Sequence, residues 1–151
     1  MRSSLLALLA SLLLVGCGSV RADQGPTPEP GHLTLVASPN HLAAGGTVYA
    51  TVTLAGPADY EAGCVQTVQL WVLDSQRQRV WTEPSPEVAC MALINKHLST
   101  DQLATFHVDW PTARNLAPGH YTIHGLFMFT LPMGAATRVA ENLPPADITL
   151  Q

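Results

Sequence analysis

Residues Thr47 to Leu54 read TVYATVTL, and this stretch limits the fold more than any other. Val48, Ala50, Val52 and Leu54 occupy every second position, and Thr47, Tyr49, Thr51 and Thr53 fill the gaps. A period of two puts one set on each face of an extended strand, so this segment is a strand with one buried face. The same alternation recurs along the chain. Leu33, Leu35 and Ala37 oppose Thr34 and Val36, while Phe106, Val108 and Trp110 oppose His107 and Asp109. Tyr121, Ile123, Phe127 and Phe129 share a face, with Leu126 and Met128 opposite, and Ile148 and Leu150 close a last short run. Gln66–Leu73 and Arg79–Thr82 flank the polar turn DSQRQ and form a hairpin pattern.

Between these runs lie SPNHLAAGG, AGPADYEAG, TEPSPE, NLAPGH and NLPP. Each supplies the Gly, Pro, Asn or Asp that chain reversals favour. No stretch sustains a helical period, and Met91–Gln102 has room for one short helical turn at most. About seven strands at this spacing predict an all-β domain, an immunoglobulin-like antiparallel β-sandwich, over residues 32–151.

The first 31 residues follow other rules. Arg2 is followed by an apolar run from Leu5 to Val15, shorter than the roughly 20 residues that span a bilayer. A positive start, a short apolar core and small residues at its end describe a secretory signal. The run closes on Leu14-Val15-Gly16-Cys17, which resembles the lipobox of bacterial lipoproteins. That resemblance implies a signal peptide over residues 1–16, diacylglycerol on the Cys17 thiol, and Cys17 as the acylated first residue of the mature chain. It also implies an extracytoplasmic protein held to the cell membrane or outer membrane by that lipid. Gly18, which follows the cysteine, favours the outer membrane where there is one. Each buried methylene contributes about 0.8 kcal/mol and a single acyl chain binds only marginally, so two or three chains make a lasting anchor. Gly18–Gly31 contains Pro26, Pro28 and Pro30 and no apolar periodicity. It is expected to be an extended tether reaching roughly 40 Å at about 3.1 Å per residue.

Export decides how the cysteines are read. Lipid on Cys17 leaves Cys64 and Cys90, an even pair in an oxidising compartment, for which a disulfide is the expected state. It would close a loop of about 26 residues, worth roughly 3–4 kcal/mol in the chain-entropy picture. The rivals are metal ligation and a catalytic thiol. Neither cysteine lies in a C-x-x-C motif, and no base for a nucleophile is identifiable. Removing Arg2 with the signal leaves six Lys and Arg against eleven Asp and Glu, a mature formal charge of −5. An acidic chain without a basic cluster is not expected to bind nucleic acid or to dock electrostatically on anionic lipid.

The segments VQLWVLDSQRQRVWTE, LSTDQLATFHVDW and LAPGHYTIHGLF, in that order, resemble the intracellular proteinase inhibitor (BsuPI-like) family. The features that carry the resemblance are Val80-Trp81, then Phe106 and Trp110, then Pro118-Gly119 with Tyr121-Thr122. It spans roughly Leu33 to Phe127 and implies a β-sandwich and a protein-binding function, proteinase inhibition in its sharpest form.

Enzymatic chemistry finds little support in the residues. Ser85 and Ser99 lie in no nucleophile-elbow context, Asp59 and Glu61 sit in a turn-rich segment, and Gly45-Gly46 precedes a strand and does not open a helix. His120 and His124 share a face, but four residues along a strand is about 13 Å, too far for one metal. Met91, Met128 and Met133 match no copper motif. No cofactor is expected, and metal carriage trails the other functions. Glu83–His97, EPSPEVACMALINKH, is the longest irregular stretch expected in the domain, with Pro84 and Pro86 stiffening its start and Cys90 near its middle. Met91 and Leu93 there suit the apolar primary pocket of a subtilisin-like protease, which makes Pro86, Met91 and Leu93 the candidate protein-binding loop. The alternative function is a structural or assembly lipoprotein of the cell envelope without inhibitory activity.

Overall fold

The computed structural model describes residues 32–63, 66–85, 93–130 and 138–151. They form an all-β sandwich of two sheets, with no helix among the described residues. In chain order the strands are β1 (Leu33–Ser38), β2 (His41–Leu42), β3 (Thr47–Ala55), β4 (Ala58–Gly63), β5 (Val68–Asp74), β6 (Arg79–Thr82), β7 (Leu93–Leu98), β8 (Leu103–Pro111), β9 (Gly119–Thr130), β10 (Arg138–Asn142) and β11 (Ala146–Leu150). The smaller sheet has the order β1-β3-β8, and the other eight strands make the larger one.

The seven runs expected from alternation became β1, β3, β5, β6, β8, β9 and β11. Four further strands lie where turns, loop or at most a helical turn were expected. AGPADYEAG contains β4, Met91–Gln102 contains β7, SPNHLAAGG contains β2, and β10 precedes NLPP. Every pairing among the described residues is antiparallel except β2 with β11, which is parallel (Thr149↔His41).

The larger sheet is organised by β9, which is long enough to take two partners on each side. On one side it pairs β11 through Ile123↔Ala146 and then β10 through Leu126↔Asn142. The gap between those partners is closed by Leu143, whose amide donates to the Gly125 carbonyl over 2.9 Å. On the other side lie β5, from Val68↔Phe127 to Asp74↔Tyr121, and a single bridge to β4 at Tyr60↔Phe129. β4 in turn carries β7, from Ala58↔Leu98 to Gly63↔Leu93, as a two-stranded ribbon at the sheet's margin.

The core lies between the sheets and is set by the alternation. Val48, Ala50, Val52 and Leu54 of β3 are buried, as are Leu70, Val72, Ile123, Phe127, Ile148 and Leu150 from the larger sheet. Tyr60, Phe106, Phe127 and Phe129 form a chain of ring contacts, with centroids 4.7 Å apart for Phe127–Phe129 and 5.3 Å for Phe106–Phe127. Offset and edge-on rings at such distances add attraction beyond area burial. Gly125, buried in β9, is required by close approach. A Cβ there would run into Leu70 and Leu143 and come 3.0 Å from the Gln69 carbonyl oxygen.

Two side chains, Thr112 and Tyr121, fix the corners at the end where β8 hands over to β9. Buried Thr112 accepts from the Gly45 amide through Oγ1 at 2.9 Å and donates to the Gly46 carbonyl at 2.8 Å. Gly45 takes φ 90°, a left-handed conformation that glycine adopts freely. The Tyr121 hydroxyl donates to the Ala117 carbonyl over 2.7 Å, a tyrosine corner at the crossing from one sheet to the other.

Candidate functional site

Of the residues singled out by sequence, Cys17, Cys64, Cys90, Pro86 and Met91 lie outside the described residues. Leu93 lies within them and corrects the expected loop. It opens β7 and is the register partner of Gly63, so the irregular segment cannot run from Glu83 to His97. Its described ends are Glu83–Ser85, after β6, and Leu93. β7 shows no alternation between wet and dry residues from Ile94 onward: Ile94, Asn95, Lys96 and His97 are exposed and Leu98 is buried. The register of the ribbon has a consequence for the cysteines. Gly63↔Leu93 brings together the residue before Cys64 and the residue three places after Cys90, so the two cysteine-bearing segments leave one end of one ribbon.

The start of the candidate loop is fastened to β5 by Glu83. Its amide donates to the Leu70 carbonyl over 2.9 Å, and its Oε2 accepts from the Leu70 amide over 3.2 Å. The carboxyl is pushed above its ordinary value by burial, a rise only partly offset by the Leu70 amide and the neighbouring Gln66 side chain. Gln66 approaches without closing a well-formed bond, and its Nε2 stays buried without a partner among the described residues. A carboxyl held above its ordinary value binds a proton more tightly in the folded than in the unfolded chain. Its charged form therefore penalises folding as pH rises upward from the ordinary value of 4.5. Glu83→Gln keeps an acceptor for Leu70 and removes the charge. Thermal melts should show the variant more stable than the wild type at pH 7, with the gain closing as pH falls below about 4.5. A gain that persists unchanged at low pH, or none at pH 7, would contradict this assignment.

Four of the six histidines have local side-chain partners. His97 Nδ1 lies 2.7 Å from Asp59 Oδ1 across the β4–β7 ribbon. His107 meets the Thr51 hydroxyl and His120 that of Thr149, both at 3.3 Å. His124 stacks on Trp71, with centroids 6.1 Å apart, and the Arg79 guanidinium sits 5.0 Å from the same indole. No group of three or more His, Cys, Asp or Glu is placed to hold a metal among the described residues.

The surface shows what sequence reasoning missed. Leu103 is 66% exposed, Val36 60% and Tyr49 56%, all on the outward face of the smaller sheet, and Ile94 is 47% exposed on the ribbon. Alternation marks a strand from Ala104 to Trp110, but it neither includes Leu103 nor says that the strand lies at a margin. No known family model matches the chain, and no curated protein does.

Proposed function

We propose that this chain is a lipoprotein anchored through Cys17 outside the cytoplasm, whose β-sandwich binds another protein of the cell envelope. The observation that carries it is Leu14-Val15-Gly16-Cys17 placed ahead of a proline-bearing stretch that reaches His32, next to the first strand. The His32 carbonyl accepts from the Ala55 amide over 2.9 Å, which fixes the point at which the chain enters β1. Apolar side chains exposed on the sandwich support protein binding over a role as a passive spacer.

The disulfide between Cys64 and Cys90 belongs to the same proposal, and the Gly63↔Leu93 pairing supports it. Thiol titration of the unfolded, unreduced exported protein should find neither cysteine free. Two titratable thiols would refute the pairing.

Proteinase inhibition is the sharpest form of the binding function. Inhibitors that act as slow substrates present an extended loop held at both ends, because preorganisation lowers the entropic cost of binding. Here the segment from Glu83 to Leu93 starts at the Leu70 contacts and ends in a paired strand, with Pro86 and Met91 between. Titration of a subtilisin-like protease with the mature protein should give inhibition at micromolar concentration or below, and Met91→Asp should abolish it. No inhibition by the folded protein removes the protease and leaves the structural or assembly role, in which a partner is bound without being inhibited.

A further inference from the structure

β8 is hydrogen-bonded to β3 along one side, from Thr47↔Pro111 to Ala55↔Leu103, and no described strand pairs with its other side. Along this nine-residue strand every second residue therefore turns its backbone groups away from β3, where no described strand receives them. Sandwiches usually protect such an edge with lysines, prolines or bulges. β8 has no lysine, its pairing to β3 is unbroken by a bulge, and its one proline, Pro111, stands at its end. Burial also dips at its middle. Ala104 and Trp110 are buried, whereas Phe106 and Val108 between them are only half-buried. The formal charge of −4 makes copies of this chain repel one another, yet the outward residues of β1, β3 and β8 include one carboxylate, Asp109, and no Lys or Arg. This is the side on which two copies approach with little electrostatic cost.

We propose that β8 pairs antiparallel with β8 of a second copy of this chain, about a two-fold axis at His107. The two three-stranded sheets become one continuous sheet. His107 is the midpoint of Leu103–Pro111, so this axis alone brings the whole strand into register with itself. Phe106 then stands opposite Val108 of the second copy and Val108 opposite its Phe106, so both half-buried side chains gain apolar neighbours. On the outer side Leu103 meets Pro111, the Thr105 hydroxyl faces the Asp109 carboxylate, and the two His107 rings lie side by side. Moving the axis to Phe106 sets exposed Leu103 against Asp109 and leaves Pro111 unpaired. The proposal stands independently of the anchor and of the loop.

The test uses the full chain, extracted and purified in mild detergent. Sedimentation at tens of micromolar should find a dimer. His107→Lys places two ammonium groups side by side and should weaken association at least tenfold while its thermal melt still shows a folded domain. Val36→Lys, on β1 at the opposite margin of the same sheet, should remain dimeric. Should His107→Lys fail to fold, His107→Cys supplies the readout: mild oxidation should yield a dimer linked through residue 107, located by peptide mapping. Thr51→Cys, on the same face but on central β3, should form no such link. A monomeric wild type, a dimer indifferent to His107→Lys, or a dimer lost only with Val36→Lys would each overturn the proposal.

Discussion

Phe127→Ala should lower the unfolding free energy by about 3–5 kcal/mol, close to the whole stability of a marginal domain. Phe127 is fully buried at the point where the two sheets face each other. Its ring meets Phe129 at 4.7 Å, Phe106 at 5.3 Å and Tyr60 at 6.0 Å, so truncation removes contacts from three strands at once. The hole cannot collapse easily, because β9 is held by β5 and β10 on its two sides and Gly125 already packs against Leu70 and Leu143. Urea unfolding checks the loss, with Val36→Ala as the comparison, since Val36 is exposed and should change stability by less than about 0.5 kcal/mol. A loss below about 1 kcal/mol for Phe127→Ala would mean that the aromatic cluster is not the centre of the core.

Cys17→Ser should block lipidation, so that the variant accumulates as an uncleaved precursor and any processed form leaves the membrane fraction. Only a thiolate can take up diacylglycerol in the proposed chemistry, and a serine hydroxyl at position 17 cannot replace it. Without lipid the mature part carries a formal charge of −5, the seven basic residues less Arg2 against eleven acidic ones, and has no electrostatic attraction to anionic lipid. No described helix is long and apolar enough to cross a membrane. The wild type should sediment with membranes and resist a high-salt wash, because acyl chains hold by burial and not by charge. The serine variant should accumulate as a precursor that still carries Arg2. Equal membrane retention of a processed Cys17→Ser variant would place the anchor elsewhere.

The fold was legible wherever a strand has one wet and one dry face. Every inward position of Thr47–Leu54 is buried, because β3 is central in its sheet and its alternation is complete. β4 carries the same signal in Ala58, Tyr60 and Ala62, but Gly56-Pro57 just before it and Gly63 at its end disguise it as a turn. β7 shows no alternation because a marginal ribbon buries almost nothing, and the two residues of β2 are too few to show a period. The candidate site divides in the same way. Cys17, Cys64 and Cys90 stand out by side-chain chemistry alone. Pro84 and Pro86 make the sequence around Leu93 look irregular, and its pairing with Gly63 depends on a distant strand. The open side of β8 has no sequence signal at all, since periodicity reports which face of a strand is wet and not which neighbour it lacks.

Mass spectrometry of the native N-terminal peptide from membrane-extracted protein is the decisive measurement for anchorage. A mature chain that starts at Cys17 and carries the added mass of a diacylglyceryl group, with or without a further acyl chain on its amine, is the expected result. An unmodified chain that begins elsewhere, such as just after Ala22, would contradict the anchor.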